Sequence, residues 1–283
     1  MKALVDLHVH SNHSDGLHSP QELVKRAEKI GLEGIALTDH DTLDGIREFI
    51  DAPISTDLQR VPGVEISTEY QDFNLHMLGY FVPLGESHID IRLRTTRESR
   101  HTRFPKMVKK LRDLGIDIED NEIEAALKEV DSPGRPHLAR ILIEKGVVRD
   151  INEAFAKYLS SGKPAYVARS KMDSIYAINL IRESGAVPVL AHPLLVKDID
   201  LKQLLHQLMT HGLEGVEVDY GYQKPDLMDQ VENVRKIAEE LGLIATGGSD
   251  FHGDDGHCDL GSVCTSVETI DLLRNACERI RGQ

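Results

Sequence analysis

Two histidines close to the N-terminus have the spacing of a metal-binding pair. His8 and His10 follow the apolar run at residues 3–7, which predicts a strand, and a turn rich in Ser, Asn, Asp and Gly comes next. Alternate strand residues point to the same face, so the two imidazoles emerge side by side, and Asp15 in the loop can reach them. Two His and one carboxylate at a strand end indicate a metal-ligand set, although a His pair that only caps the strand is the alternative.

Further imidazoles and carboxylates occur in or after other strand-like runs. The runs at residues 34–38, 60–67, 74–82, 186–191 and 243–247 each contain or precede one or more of them. Because parallel strands end at one rim of a sheet, we expect these groups to meet there. One such His alone would more commonly be a hydrogen-bonded loop residue. The nine candidate ligands are His8, His10, Asp15, His40, Glu65, His76, His192, Asp250 and His252.

Nine ligands exceed the needs of one ion and predict two or three divalent metals with a bridging carboxylate. Paired metals about 3.5–4 Å apart are the usual apparatus of phosphate ester hydrolysis, since they activate water and neutralise phosphoryl oxygens. We therefore hypothesise that a metal-bound hydroxide attacks phosphorus in line. A mixture of imidazole and carboxylate without Cys favours Mn, with Fe or Zn as alternatives.

The order of elements predicts an α/β protein built on a mainly parallel sheet. Strand-like runs alternate with helical patterns at residues 172–183, 201–210, 225–241 and 270–281. The clearest helix start is Ser19-Pro20 with Glu22, an N-cap followed by a proline and an early acid, and Gly31 ends that helix. Residues 43–49 predict a short helix, and residues 70–73 a turn between paired strands.

Composition limits the class of protein. The 283 residues are 40% hydrophobic and carry a net charge of -14, which argues against a nonspecific nucleic-acid coat but allows a phosphate substrate beside bound metals. No apolar run approaches the roughly 18 residues of a membrane span, and three Cys do not indicate a disulfide framework. We expect a soluble cytoplasmic protein with no obligate protein partner.

Residues 92–168 differ from the rest by a helical pattern and a local excess of cations. Met107, Val108, Leu111 and Leu114 predict the buried face of the first helix, which Pro105 would start or kink. Glu98 is the only acid among residues 92–112. The cations there are Arg92, Arg94, Arg97, Arg100, Arg103, Lys106, Lys109, Lys110 and Arg112, and about half of them are expected on a solvated face.

Two later motifs in this segment could meet anions. Pro136 fits the first turn of a helix, which places Arg135 at a helix N-terminus, a favourable anion site. Asp150 and Glu153 resemble a capping box for a further helix. Lys163, in Gly162-Lys163-Pro164, could meet a second phosphate or a ribose, and a plain turn is an equal alternative.

The set of motifs resembles the PHP family, the polymerase and histidinol phosphatase metallohydrolases. The resemblance rests on His8-x-His10, Asp15, Thr38-Asp39-His40, Glu65, His76, Ala191-His192-Pro193 and Ser249-Asp250-x-His252. It implies a distorted (β/α)7 barrel with a trinuclear metal centre. It further implies three ligand sets: His8, His10, Glu65 and Asp250; Asp15, His40 and His252; and His76 and His192 with Glu65 bridging.

The helical insertion resembles one branch of this family, which hydrolyses 5′-nucleoside monophosphates, 3′,5′-bisphosphates and short 5′-phosphorylated RNA. The resemblance implies that Arg135 and His137 lie near the substrate phosphate. Asp250 would act as a metal ligand. Arg135 would stabilise the negative charge that the phosphoryl group gains when hydroxide attacks. A bound water, His192 or His252 would protonate the leaving oxygen. The expected organisation is barrel at 1–91, a helical insertion covering the active site at 92–168, and barrel at 169–283.

Three other functions stay open at this point. Histidinol phosphate hydrolysis is the nearest, but the basic insertion favours a substrate with more phosphate. A noncatalytic PHP module that scaffolds a polymerase or kinase is a second, although such modules tend to lose ligands. A metal-dependent hydrolase of carbon–nitrogen bonds is a weaker third, because such barrels commonly use a carboxylated Lys as the bridge.

Overall fold

The structure is a computed structural model that describes residues 4–128, 130, 132–168, 171–222, 224–254 and 257–282, with Ser99 described by its backbone alone. The predicted strand start at Ala3 and the predicted boundary residue Arg169 lie outside the described residues.

A twisted sheet runs through the molecule and almost closes on itself. Its strands are β1 Leu4–Asp6, β2 Gly34–Leu37, β3 Gln59–Tyr70, β4 Phe73–Tyr80, β5 Met172–Asp173, β6 Val187–Leu190, β7 Gly215–Tyr220, β8 Ile244–Gly248 and β9 Thr265–Ser266. They are ordered β8-β7-β6-β4-β3-β2-β1-β9, with β5 beside β3. The Leu7 N–H donates to Gly247 O at 3.2 Å, which joins β8 to the residue that follows β1. The predicted distorted α/β barrel is confirmed.

The distortion of the barrel comes from one hairpin. β3 and β4 pair antiparallel across the turn at residues 71–72, and β4 also runs antiparallel to β6. The pairs β1–β2, β2–β3, β6–β7 and β7–β8 are parallel. Because β4 runs against its neighbours, its first half rather than its carboxyl end lies at the rim where the parallel strands end. His76 reaches that rim from this strand.

The helices cover the sheet and fill the long segment between β4 and β5. They are α1 Pro20–Ile30, α2 Ile46–Asp51, α3 His88–Asp113, α4 Asp120–Ala126, α5 Arg135–Glu144, α6 Ile151–Ala154 with a π-helical turn Phe155–Leu159, α7 Ser174–Glu183, α8 Leu201–Met209, α9 Pro225–Met228, α10 Val231–Leu241 and α11 Glu268–Arg281. Among the described residues, every helix is too short or too polar to span a membrane.

Helix α1 shows how local sequence sets the elements. Ser19 and Glu22 form the predicted capping box, Pro20 begins the helix, and Gly31 ends it with a left-handed backbone at φ 80°. Leu23 and Val24 are buried on the inner face, where they join the main core cluster with residues of the strands. The start, the end and the packed face of α1 therefore follow from the sequence.

The helical segment has its own small core. Met107, Val108 and Leu111 of α3 pack with Leu138 and Leu142 of α5 in a cluster separate from the two clusters around the sheet. This packing supports the view that the segment is a distinct unit added to the barrel. The predicted division at residues 92 and 168 stays a prediction, and α3 begins at His88.

Several local predictions were wrong. Leu114 caps α3 with 48% of its surface exposed instead of facing the core. Pro105 lies inside α3 and does not start it, and the alternative that it kinks the helix stays a prediction. Met172 and Asp173 form a short strand before α7. The single helix predicted at residues 225–241 is two helices, α9 and α10. The backbone at Asp229 and Gln230 stays in the right-handed helical region. The spacing of apolar residues in the sequence therefore resembles that of one continuous helix.

Candidate metal centre

All nine predicted ligands meet at one rim of the barrel. His8 and His10 follow β1, His40 follows β2, Glu65 and His76 lie on the β3–β4 hairpin, His192 follows β6, and Asp250 and His252 follow β8; Asp15 comes from the first loop. A cavity of about 350 Å³ opens there. Seven of the nine line it, namely Asp15, His40, Glu65, His76, His192, Asp250 and His252, while His8 and His10 are fully buried beside it.

Glu65 lies at the centre of the cluster. Its Oε2 is 2.9 Å from His40 Nδ1, 3.3 Å from His10 Nε2 and 3.5 Å from His8 Nε2. Its Oε1 is 2.7 Å from His76 Nδ1 and 3.0 Å from His192 Nε2. Each oxygen therefore faces a different set of imidazoles. This is the geometry of a carboxylate able to bridge two ions.

The donor atoms form overlapping groups, each within 4.8 Å, that could hold metal ions. One group is His8, His10, Glu65 and Asp250, the same four residues as the first expected set. A second contains Asp15, His40 and His252 together with His10, and a third contains His40, Glu65 and His76. His192 is near Glu65 but outside these groups. The assignment of residues to individual ions thus stays a prediction.

Orphaned polar atoms show that this donor set fits metal ions. Within the cluster of candidate ligands, six buried atoms have no hydrogen-bond partner among the described residues: His8 Nε2, His10 Nδ1, His10 Nε2, Asp15 Oδ1, His40 Nδ1 and Glu65 Oε2. His40 Nδ1 and Glu65 Oε2 are only 2.9 Å apart, yet the contact between them does not have the angles of a hydrogen bond. Buried unpaired polar atoms are costly, and divalent cations among them would remove that cost.

Mutual charge governs the ionisation of the cluster. Burial alone would raise the pKa of Glu65, but the imidazoles of His40, His76 and His8 hold it well below its usual range. Burial opposes protonation of His8, yet Glu217 and other carboxylates raise its pKa well above the ordinary value. For His76, burial prevails and lowers the pKa to about 4. In the protein without metal, protons on imidazoles thus offset the buried carboxylates.

Glu217 on β7 positions two of the candidate ligands, and the sequence analysis missed it. Its Oε1 is 2.9 Å from His8 Nδ1, and its Oε2 accepts a hydrogen bond from the His192 N–H at 2.7 Å. The first contact leaves His8 Nε2 directed at Glu65 and Asp250. Glu217 is fully buried in the otherwise apolar strand start Gly215-Val-Glu-Val. An isolated carboxylate within such a run is the signal that could have identified it.

Other buried acids hold the loops that carry the ligands. Asp6 accepts hydrogen bonds from the backbone N–H groups of Ser249 and His8, and Asp39 accepts from Ser11 and from the Ser14 hydroxyl. Asp39 belongs to a motif quoted above, but the sequence did not show what it holds. These bonds fix loops that come from distant parts of the chain.

Three residues in the loops of the candidate site have a left-handed backbone although none of them is glycine. They are Asp41 at φ 55°, His192 at φ 27° and Asp250 at φ 54°. Such conformations cost about 1–3 kcal/mol each and are concentrated at functional sites. Here they turn the chain sharply beside His40 and at two of the candidate ligands. The surrounding hydrogen bonds, including the one from His192 N–H to Glu217, keep these turns in place.

Arginines of the helical segment form the opposite wall of the cavity. Arg100 donates two bonds to Asp41 Oδ2, at 2.9 and 2.5 Å, and one to Ser67 Oγ at 3.0 Å. Arg103 lies over the ring of Tyr166 and Arg135 over the ring of Phe155, at 5.7 and 5.1 Å from the ring centres. All three arginines line the cavity, together with Lys171, Ser161 and Tyr166.

The other two predicted substrate contacts lie elsewhere. His137 is buried, and its Nδ1 accepts a hydrogen bond from the Gly134 N–H at 3.0 Å, which caps the start of α5. Lys163 is exposed in a turn. Neither is among the described residues that line the cavity. His257, which the sequence analysis did not select, does line it, and its ring stacks on His252 at 3.8 Å.

Comparison with known proteins places this fold and site. The 5′-3′ exoribonuclease of Haemophilus influenzae is 33% identical over 269 residues, which are 94% of this chain and 96% of that protein. The 3′,5′-nucleoside bisphosphate phosphatase of Chromobacterium violaceum is 31% identical over 277 residues, 94% and 95% of the two chains. A solved structure from Bifidobacterium adolescentis, described as a metal-dependent phosphoesterase, superimposes with a TM-score of 0.88 at 30% identity over 96% of both chains.

The fold, the ligand cluster and these similarities define the class as metal-dependent phosphoesterases. Residues 6–118 match the PHP domain model, and the match to the Haemophilus protein extends over nearly the whole chain. The chain belongs to the PHP family and is a hydrolase of phosphoric esters. The family, the fold class and the enzyme class predicted from the sequence are confirmed.

Proposed function

We propose that the protein hydrolyses phosphate esters of nucleotides: 5′-nucleoside monophosphates, 3′,5′-bisphosphates or short 5′-phosphorylated RNA. The observation that supports this most is the pairing of two walls in one cavity. Imidazoles and carboxylates able to hold metals form one wall, and Arg100, Arg103 and Arg135 form the other. A substrate with one phosphate at the metals and a second anionic group fits that arrangement. The names of the Haemophilus and Chromobacterium relatives agree with it.

We assign the metal ligands as the nine residues that converge on the rim, and we expect two or three divalent ions, Mn first, with Fe or Zn as alternatives. Such ions would lower the pKa of coordinated water and neutralise phosphoryl oxygens. His252 fits a ligand better than an acid, because its Nδ1 lies 2.8 Å from Asp250 O and its Nε2 faces Asp15 Oδ1 at 3.3 Å. A bound water is then left to protonate the leaving oxygen, or His192 if that residue does not bind metal.

Among the substrate contacts, we assign Arg135 to the phosphate and add Arg103. Both side chains line the cavity, and each lies over an aromatic ring, which fixes the guanidinium plane. Burial beside other cations lowers the pKa of Arg135 from its ordinary value, so an anion placed there would be attracted strongly. His137 supports this wall as the cap of α5. The contact of Lys163 with substrate stays a prediction, since its side chain is exposed and outside the cavity lining.

The test compares substrates on one preparation. After removal of metal with a strong chelator and reloading with Mn, kcat/KM is measured on a 3′,5′-bisphosphate, a 5′-phosphorylated RNA and histidinol phosphate. We expect no turnover without metal, recovery with Mn, and a preference for the two nucleotide substrates. Full activity after verified metal removal would contradict the proposal, and a preference for histidinol phosphate would favour the nearest alternative.

The scaffold alternative has its own test. His8→Ala and Asp250→Ala each remove one ligand atom from the group formed by His8, His10, Glu65 and Asp250. If the protein acts as an enzyme, the cellular role is lost with the activity. If that role survives in variants without activity, the protein acts as a noncatalytic module.

A further inference from the structure

A second and larger cavity opens beside the metal centre. It measures about 850 Å³ and lies between the turn after β6, the loop after β7 and the faces of α8, α9 and α10. Leu195, Tyr220 and His257 line both cavities, so the two adjoin at these side chains. A substrate held at the metal centre therefore needs to extend only past these side chains to reach the second cavity.

The lining of this second cavity is close to neutral. Among the described residues that line it, Lys197, Lys202 and Lys224 are matched by Asp198, Asp200 and Asp226. Lys202 is also paired with Glu240 at 2.6 Å. A site with this balance has no marked preference for an anion such as a further phosphate.

The remaining surface of the second cavity combines apolar walls with side-chain amides. Leu194, Tyr222 and Ile237 supply apolar surface, and Gln230 and Asn233 add amide donors and acceptors. Flat bases bind to proteins against apolar and aromatic surface, with polar groups directed at their edges. The chemistry of the cavity is therefore that of a nucleoside site.

The two sides of the metal centre thus differ in charge. The cations Arg103, Arg135 and Lys171 line the metal cavity but not the second one. A 5′-phosphorylated dinucleotide has the same asymmetry, with a terminal phosphate at one end, a phosphodiester in the middle and a neutral nucleoside at the other end. The charges of the protein give that substrate one favoured direction.

We propose that the second cavity binds the nucleoside on the 3′ side of the scissile phosphate, while the terminal 5′-phosphate lies against Arg103 and Arg135. This rests on the proposed function. Water oxygen bonds to phosphorus and the P–O3′ bond breaks, while the O3′ of the first nucleotide takes the proton that the water loses. The phosphate stays on the second nucleoside, which becomes a new 5′-phosphorylated end.

The first test uses the Mn-loaded protein and two diesters with the same leaving oxygen. One is a 5′-phosphorylated dinucleotide, and in the other a methyl group replaces the second nucleoside. We expect kcat/KM at least tenfold higher for the dinucleotide, because only that substrate fills the second cavity. Equal values would overturn this inference and leave the proposed function intact. No turnover of either diester or of the 3′,5′-bisphosphate would overturn both.

The second test fills the cavity. Asn233 is exposed on α10 and lines the cavity, so Asn233→Trp places an indole in that space. We expect the ratio of kcat/KM for the dinucleotide to that for the methyl diester to fall at least tenfold. Gln203→Trp, also exposed but on α8 and outside the cavity lining, should keep the wild-type ratio.

A wild-type ratio in Asn233→Trp would overturn the inference. Should that variant fail to fold by circular dichroism, Gln230→Trp fills the same cavity from a different exposed position and is judged by the same ratio.

Discussion

Glu217 shows how one buried carboxylate organises a metal centre without being a candidate ligand itself. It joins His8 to the backbone of His192, two residues that lie 184 positions apart in sequence and follow different strands. Its contact to Nδ1 fixes the tautomer of His8, and its contact to the His192 N–H steadies a left-handed turn. Both effects orient the ligand atoms of His8 and His192, and Glu217 itself adds no ligand atom.

Glu217→Gln should weaken metal binding while leaving the ligand list intact. An amide offers one acceptor where the carboxylate offers two, so either His8 or the His192 N–H loses its partner. Partners of this kind are typically worth about 10–100-fold in metal affinity or activity. Metal content after dialysis against graded chelator checks this. Glu214 pairs with Arg182 and Arg279 near the surface, so Glu214→Gln is the matched control. Equal metal retention by the two variants would contradict the positioning role of Glu217.

Arg135 and Lys163 were both predicted to contact substrate, but only Arg135 lines the cavity. Arg135→Ala removes a charge-assisted donor from the cavity wall, and such bonds contribute about 1.5–3 kcal/mol. We therefore expect kcat/KM on a 3′,5′-bisphosphate to fall about 10- to 100-fold. Lys163 is exposed and outside the cavity lining, so Lys163→Ala should stay close to wild type. Steady-state kinetics decide, and the reverse ranking would return Lys163 to the site.

Among the elements, helix α3 connects the helical segment to the site. Arg97 and Arg100 anchor it to the loop after β2: Arg97 bonds to Thr42 Oγ1 at 3.0 Å and pairs with Asp44 at 3.2 Å, while Arg100 bonds to Asp41. Because Asp41 accepts the Ser67 N–H as well, this contact also fixes the strand that carries Glu65. The helix thus both covers the cavity and holds the loop next to His40.

Arg100→Met should destabilise the fold itself. The substitution leaves Asp41 buried without its cation, and breaking a buried ion pair in this way costs roughly 3–5 kcal/mol. Arg94→Met on the same helix removes a half-exposed arginine from its pair with Asp90 and should cost less than about 1 kcal/mol. Urea unfolding of the two variants measures both values. Similar losses would show that the contact between Arg100 and Asp41 does not anchor the helix.

The whole molecule should respond to pH in a way that depends on metal. The folded-state pKa values of His8, His10, His40 and His192 are raised, since burial is outweighed by the surrounding carboxylates. A raised pKa stabilises the fold fully below the unfolded value of about 6.5, and this stabilisation is lost as pH rises through the folded values. The pKa of His76 is lowered to about 4, so this residue affects stability only below about pH 6.5, where the imidazole is protonated in the unfolded chain first.

The Tm of the metal-free protein should therefore fall as pH rises from about 6.5. With Mn bound, cations replace the protons on the ligand cluster, so the Tm should be higher and less dependent on pH over the same range. Differential scanning fluorimetry with and without Mn gives both curves. A metal-free Tm that is flat or rises above pH 6.5 would contradict this charge balance.

The convergence of the candidate ligands, the α/β class and the family could be predicted because each depends on short-range features. His8-x-His10 or the Ser19–Glu22 capping box is complete within a few residues, and strand ends in such folds converge on one rim. The support from Glu217, the inward direction of Arg100 and Arg103, and the second cavity were not visible in the sequence. These features depend on contacts between residues far apart along the chain, and on the packing that decides which side of a helix faces the barrel. Local patterns have no information on either.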